Sequence, residues 1–308
     1  MKYYLYSAGL ILIGIIVALT TPIFLETSDK FFISLEIPQN NSQVAGVQKY
    51  NIPPISKNIA PPVFASRAVL VKDLTTDTVL HQKDASLPFP VASLTKIMTA
   101  LVAGEYYKQN AVLTVDVSAG MPGSKVGLAR GEDLTFRSLL YGMLLNSGND
   151  AAFTLAENYP GGILGFVSAM NKKVLDLGLK NTHFDNPAGF DSRAHFSSAS
   201  DMSKITEEAL KNNQLARIFA TKETNIVSLD KKYTHQLLNL NKLLSQVNGV
   251  LGVKTGTTEG AKENLVTLIE RDKHKVLIVV LGSNDRFLET TKLIDWIFQN
   301  FQWPQRFN

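Results

Sequence analysis

The sequence predicts an α+β domain in which an antiparallel β-sheet is flanked by helices, and three observations carry that expectation. Apolar and β-branched runs open the domain at Ala68–Val71 and Thr78–Leu80, and a second pair, Leu265–Ile269 and Val276–Leu281, comes near its end. Between the two pairs, apolar residues recur at helical spacing from Ser93 to Leu210. A last helix, from about Phe287 to Phe301, puts Leu293, Ile294, Ile297, Phe298 and Phe301 on one face. Strands, helices, strands and a helix in that order segregate the element types, which is the α+β pattern. No internal repeat is present.

Ahead of the domain, Tyr3 to Leu25 carries no charged residue and is preceded by Lys2. About 20 apolar residues span a bilayer as a helix. No Ala-x-Ala cleavage pattern follows, so residues 1–25 are expected to be an uncleaved transmembrane anchor, with a cleaved signal segment as the alternative. Lys2 favours a cytoplasmic amino terminus, which puts a single-pass protein in the cell membrane with its domain outside the cytoplasm. Residues 26–62 contain Pro38, Pro53, Pro54, Pro61 and Pro62 without periodicity and read as an extended linker. The patch Phe31-Phe32-Ile33-Ser34-Leu35 within it suits contact with either the membrane or the domain. The folded domain is expected over residues 63–308.

Within the domain, Thr75-Thr76-Asp77 suits the turn of the first hairpin. Pro88 and Pro90 break the chain before a helix running from Ser93 to about Lys108. A glycine-containing polar stretch, residues 118–125, leads to a helix on which Leu139, Leu140, Met143 and Leu144 are spaced for burial. Asn146-Ser147-Gly148-Asn149-Asp150 interrupts it, and it resumes at Ala151–Ala156 until Pro160-Gly161-Gly162. Further helices cover about Leu164–Leu177 and Asp201–Leu210, with a loop at Asn181–Ser198. Arg271-Asp272-Lys273-His274 separates the strands of the second hairpin.

Composition narrows the chemistry. The net charge of +4 is small and not clustered, so no nucleic-acid partner is expected. There is no cysteine, which excludes disulfides and thiolate nucleophiles and leaves the redox compartment open. His81, His183, His195, His235 and His274 have no metal-ligand spacing, and the glycines between Gly120 and Gly131 follow no strand and lack a P-loop lysine, so neither metal nor cofactor is expected.

Three polar interruptions of apolar surroundings hold the candidate chemistry. In Ser93-Leu94-Thr95-Lys96, serine and lysine share a helix face at i and i+3. A serine hydroxyl needs an adjacent base to be a nucleophile. A lysine becomes one when burial or a neighbouring cation lowers its pKa. Ser147-Gly148-Asn149 lies between two helical runs and by itself also reads as an ordinary turn. Lys254-Thr255-Gly256-Thr257-Thr258 precedes a buried strand and by itself also reads as a strand edge with a solvated lysine.

In this order, the three triplets resemble the S-x-x-K, S-x-N and K-T-G set of the penicillin-binding serine peptidases. The surrounding stretches Pro90–Ala100, Leu144–Ala152 and Gly252–Thr258 are similar to the low-molecular-mass D-alanyl-D-alanine carboxypeptidases of that family, as are Leu177-Gly178-Leu179, Thr182-His183-Phe184, Asn186-Pro187 and the strand ending Val280-Leu281-Gly282. The resemblance extends over about Ser66 to Phe301. It implies a β-lactamase/transpeptidase-like fold with a mainly helical subdomain. It also implies that Ser93 attacks the penultimate carbonyl of a stem peptide ending in D-Ala-D-Ala while Lys96 takes its proton. Ser147 is implied to bond Lys96 and relay a proton, Asn149 to hold a substrate amide, and Lys254 to add positive charge. The backbones of Ser93 and Thr257 are implied oxyanion donors, and Thr255, Gly256 and Thr257 an edge for substrate pairing. Arg286 matches a carboxylate-binding position, although an arginine at a helix start is equally an exposed cation.

Two departures stand out. Relatives usually carry an alanine-glycine pair where this chain has Ala261-Lys262, so an altered loop is expected there. Many relatives also have a second β-rich domain and a carboxy-terminal anchor, and this chain stops at Asn308. The resemblance implies a membrane-tethered serine D,D-carboxypeptidase acylated by β-lactams, with D,D-endopeptidase or transpeptidase action as the alternative. No E-x-x-L-N element is present for rapid deacylation, which argues against a β-lactamase. A penicillin-binding sensor without turnover would not need all of Ser93, Lys96, Ser147, Asn149 and Lys254.

Overall fold

The computed structural model describes residues 52–116 and 121–304. The expected anchor, residues 1–25, and residues 26–51 of the expected linker lie outside the described residues. Among the described residues, no helix is long and apolar enough to cross a membrane.

In chain order the elements are β1 (Ile55–Ser56), β2 (Ala68–Asp73), β3 (Thr78–Lys83), a 3-10 turn (Ala92–Leu94) running into α1 (Thr95–Tyr106), β4 (Val112–Thr114), β5 (Asp133–Thr135), α2 (Phe136–Leu145), α3 (Asn149–Glu157), α4 (Gly162–Asp176), α5 (Ala199–Leu210), α6 (Asn213–Phe219), β6 (Glu223–Val227), β7 (Thr234–Leu238), α7 (Leu243–Gln246), β8 (Val250–Thr258), β9 (Lys262–Arg271), β10 (His274–Ser283), α8 (Arg286–Asn300) and β11 (Phe301–Gln302). Five strands form one antiparallel sheet in the order β3-β2-β10-β9-β8. Both expected hairpins are present, β2–β3 and β9–β10. Asp73 closes the first by accepting the Thr76 N–H and hydroxyl at 3.1 and 2.6 Å.

Side chains of a strand alternate between faces. On β10, Val276, Ile278 and Val280 pack with Leu293, Ile294, Trp296 and Ile297 of α8, while Leu277, Val279 and Leu281 join the helical body. A strand covered on both faces reads as a continuous apolar run. The helices pack around α1, which is buried at every position from Thr95 to Ala103. A helix surrounded on all sides is apolar all round, and this one carries Thr95, Lys96 and Thr99 inward as well. The expected helix from Ser93 thus begins as a 3-10 turn and becomes α-helical at Thr95. Strand β8, at the sheet edge, extends the expected strand edge to Val250. The hairpin β6–β7 and helix α6 arise between Leu210 and Gly249, where the sequence carries no periodic signal.

Residues 55–62, read from sequence as the end of the linker, carry contacts to the domain. Ile55 and Ser56 pair with Gln302 and Phe301. Ile59 donates its N–H to Asn300 Oδ1 at 2.8 Å and accepts Trp296 Nε1–H at 2.8 Å. The altered loop expected at Lys262 is a tight turn with Thr258 opposite Lys262. Lys262 sits there at a φ of +54°, a conformation glycine adopts without strain.

Asn300→Ala removes the acceptor for Ile59 N–H. It should lower stability by about 1–2 kcal/mol and should make residues 52–62 susceptible to limited proteolysis while the sheet stays protected, as read by mass spectrometry of the fragments.

Candidate active site

The three sequence triplets meet at one place. Ser93 lies in the 3-10 turn ahead of α1, and Lys96 one turn later. Lys96 is fully buried, and its Nζ is 2.9 Å from Ser93 Oγ, 2.7 Å from Asn149 Oδ1 and 2.6 Å from the Ala188 carbonyl oxygen. β8 closes the third side. A Cβ added to Gly256 would stand 3.1 Å from Ser93 N and 3.0 Å from Val91 O, so the strand edge lies against the Ser93 turn.

The contacts of Lys96 suit an uncharged amine. Asn149 Nδ2 donates to the Pro122 carbonyl at 2.7 Å, so Oδ1 is the atom facing Lys96. Oδ1 and the Ala188 carbonyl can only accept. A neutral amine has two N–H bonds and one lone pair. In that form the two N–H bonds go to these acceptors and the lone pair is left for the Ser93 hydroxyl. Burial, then the Lys254 cation, hold the Lys96 pKa well below the ordinary lysine value of 10.5, against a smaller upward pull from Asp150. Among the described residues, no carboxylate makes an ion pair with Lys96.

Lys254 is 1% exposed, and its Nζ donates to the Thr255 carbonyl at 3.0 Å. Burial, then the Arg286 charge, lower its pKa to about 7. Arg286 donates from Nη1 to the Gly256 carbonyl at 2.9 Å and to the Thr257 hydroxyl, and its backbone N–H is taken by Glu263 Oε2 at 3.0 Å. Its Nε is buried without a partner. The guanidinium is thus fixed beside the edge of β8, with Thr257 exposed and Thr255 buried.

Ser147 and Asn149 flank the start of α3. Ser147 takes a left-handed φ of +59° and is buried, and Gly148 is the residue ahead of the helix. Among the described residues, no hydrogen bond joins Ser147 Oγ to Lys96. The amide of Asn149 is engaged at both ends, by Lys96 and by Pro122. The first arrangement differs from the Ser147–Lys96 bond that the resemblance implied.

Several supporting groups had no expectation attached. Asp150 accepts the N–H groups of Val126 at 3.0 Å, Gly127 at 2.8 Å and Leu128 at 3.1 Å, and so holds the segment beside Pro122. Asn186 Oδ1 accepts from Ala188, Gly189 and Phe190 at 3.1, 2.7 and 3.0 Å, which shapes the loop that presents the Ala188 carbonyl. Asp191 ties that loop to the β8–β9 turn through Thr258 Oγ1 at 2.6 Å and Gly260 N–H at 3.0 Å. A carboxylate closing the polar interruption, directly ahead of the apolar run from Ala151, was the available signal for Asp150. His183 is structural, pairing its backbone with Phe196. Among the described residues, no cluster of His, Cys, Asp or Glu could hold a metal ion.

A serine hydroxyl facing a buried lysine of lowered pKa, beside a basic sheet edge on an α+β scaffold, defines a penicillin-binding serine peptidase site. The chain belongs to the D-alanyl-D-alanine carboxypeptidase family, whose model matches residues 55–285. It is 37% identical to the D-alanyl-D-alanine carboxypeptidase DacF of Bacillus subtilis over 248 residues, which is 77% of this chain and 63% of that protein. It is 33% identical to a D-alanyl-D-alanine endopeptidase of Pseudomonas aeruginosa, over 76% of this chain and 77% of that one. The crystal structure of a Streptomyces DD-transpeptidase superposes with a TM-score of 0.74 at 32% identity, covering 78% of this chain and all of that one. The fold is the α+β fold of that transpeptidase, with its antiparallel sheet and helical body.

Two buried amines with lowered pKa give stability a defined pH dependence. Between pH 7 and 10.5 the unfolded Lys254 keeps a proton that the folded one has released. Stability therefore rises with pH across that window. Lys254→Met, which has no proton to release, should show a shallower rise of the urea midpoint between pH 7 and 10; an unchanged slope would contradict the lowered value.

Proposed function

We propose that the chain is a serine-type D,D-carboxypeptidase that removes the terminal D-alanine of peptidoglycan stem pentapeptides through an acyl-enzyme on Ser93, and that β-lactams acylate the same hydroxyl. The observation that carries this reading is the fully buried Lys96, whose Nζ lies 2.9 Å from Ser93 Oγ. In this reading Lys96 takes the Ser93 proton as Oγ bonds to the penultimate carbonyl carbon. The oxygen of that carbonyl gains negative charge, which the N–H groups of Ser93 and Thr257 stabilise. Collapse breaks the C–N bond, and the proton passes from Lys96, by way of Ser147, to the departing amine of D-alanine. Water then attacks the ester with Lys96 as base and restores the Ser93 hydroxyl.

The remaining residues bind. A D-Ala-D-Ala terminus carries a free carboxylate, and Arg286 supplies a guanidinium beside the β8 edge for it, joined by Lys254 when that amine is protonated. Backbone of Thr255, Gly256 and Thr257 pairs with the stem peptide as an added strand, and Asn149 keeps Lys96 oriented and lies next to the substrate amide. Residues 1–25 act as a single-pass membrane anchor and residues 26–54 as a tether, with the catalytic domain outside the cytoplasm. No cofactor is required by this chemistry.

A second reading keeps the acyl-enzyme and changes either its acceptor, as in a transpeptidase, or the amine it releases, as in an endopeptidase. A relative named endopeptidase and a structural neighbour named DD-transpeptidase favour it. D-Alanine release from a pentapeptide, measured with and without an added amine acceptor, separates the two. Hydrolysis unaffected by the amine is expected, and a product joined to the amine in place of hydrolysis would favour transpeptidation. Ser93→Ala should abolish both D-alanine release and labelling by fluorescent penicillin in a chain that stays folded by circular dichroism. Labelling that survives this change would remove Ser93 from its role.

A further inference from the structure

The peptide between Ala92 and Ser93 is held by groups that the chemistry above does not use. Ala92 takes a left-handed φ of +48°, and its carbonyl accepts Thr95 Oγ1–H at 2.8 Å as well as the Thr95 N–H. Thr95 Oγ1 also lies 2.7 Å from Nε2 of His195, a buried ring. A hydroxyl carries one proton, and a carbonyl only accepts. The Thr95 proton therefore belongs to Ala92 O, and Thr95 Oγ1 receives a proton from His195 Nε2. His195 Nδ1 lies 3.2 Å from the Asp185 N–H and 3.0 Å from Asp185 Oδ1. The neutral ring accepts the first and the cationic ring donates to the second. Nε2 carries a proton in both forms, so the link to Thr95 survives either charge state.

In a trans peptide, C=O and N–H lie in one plane and point in opposite directions. A carbonyl pinned on the His195 side turns the Ser93 N–H to the other side. Gly189 backs the same peptide, since a Cβ there would stand 1.9 Å from Ala92 O. His195 reaches the base as well: Asn186 Nδ2 is 3.2 Å from its Nδ1, and Asn186 shapes the loop whose Ala188 carbonyl holds Lys96.

We infer that His195 is a positioning residue for acyl transfer, which through Thr95 fixes the Ala92–Ser93 peptide and aims the Ser93 N–H at the tetrahedral oxyanion. The inference rests on Ser93 as the acylated residue. The oxyanion exists only after attack, so a loss of aim falls on the acylation step and not on initial binding. Removing an oxyanion donor lowers rates by roughly 100- to 1000-fold, and misaiming one should cost about 10- to 100-fold.

Fluorescent penicillin acylating the full chain, with the observed rate followed against penicillin concentration, separates the acylation rate constant from the dissociation constant. Glutamine at 195 returns an N–H near the Nε2 position, and asparagine returns one near Nδ1. His195→Gln and Thr95→Ser should stay within about threefold of the unsubstituted chain, whereas His195→Asn and Thr95→Val should lose about 10- to 100-fold in the acylation constant at an unchanged dissociation constant. Equal rates in the four variants, equal losses in the glutamine and asparagine variants, or a loss carried by the dissociation constant would overturn the inference. Thr95→Val, close in shape to threonine, keeps the test decisive where a His195 variant fails to fold. A folded, unsubstituted chain that takes no label would overturn the reading of Ser93 itself, and the inference with it.

Discussion

An amine buried where its charge is penalised is the constraint on which the rest of the structure depends. The Lys96 pKa is held well below the ordinary lysine value because desolvation and a second buried lysine both penalise the cation. Once neutral, it offers two N–H bonds and one lone pair, and three segments must meet it with the right atoms: the 3-10 turn with Ser93, the start of α3 with Asn149, and the loop of Ala188. A fourth acceptor in contact would compete for the lone pair's side of the nitrogen. A carboxylate in contact would restore the charge. The site is thus defined by which partners Lys96 has and by which one it lacks.

Each segment reaches Lys96 by a separate backbone device. Ala92 and Ser147 accept left-handed φ values of +48° and +59°, which turn the chain sharply at Ser93 and ahead of α3. Such conformations cost of order 1–3 kcal/mol each and persist where the surroundings over-determine them. Here the surroundings are the buried α1, the sheet edge against Gly256 and the close approach of Gly189. The loop of Ala188 has no regular structure and depends on three N–H bonds to one side-chain oxygen of Asn186. The double-sided packing of β10 and its neighbours supplies the rigidity against which these turns are held.

The division between what could be read in advance and what could not follows from the range of the interactions. Hairpins β2–β3 and β9–β10 and helices α1, α2, α4, α5 and α8 carry local periodicity, so their existence and type are legible, and the Ser93–Lys96 pair is a one-turn spacing on a helix. The hairpin β6–β7 and helix α6 are short, and their apolar residues do not repeat over enough positions to declare a period. Supporting contacts to the site span long sequence separations: Thr95 meets His195, Lys96 meets Ala188 and Asn149 meets Pro122. Two of these three contacts end on backbone carbonyls, and a carbonyl has no residue signature. The two engaged ends of the Asn149 amide illustrate the point, because the residue type announces a polar contact and only the fold decides with what.

Asp150 shows how a carboxylate can sit near the base without neutralising it. Its two oxygens are occupied by the N–H groups of Val126, Gly127, Leu128 and Ala151, at 2.8 to 3.1 Å. These donors place partial positive charge around the anion and leave no oxygen lone pair directed at Lys96. Its influence on Lys96 is therefore a through-space pull, ranked below burial and below the Lys254 cation. The three bonds from Val126, Gly127 and Leu128 hold the segment that follows Pro122, and the Pro122 carbonyl fixes which end of Asn149 faces Lys96. Asp150 therefore acts on the base through the loop that orients Asn149 as well as by its charge, and a buried acid can stand near a lysine of lowered pKa in one site.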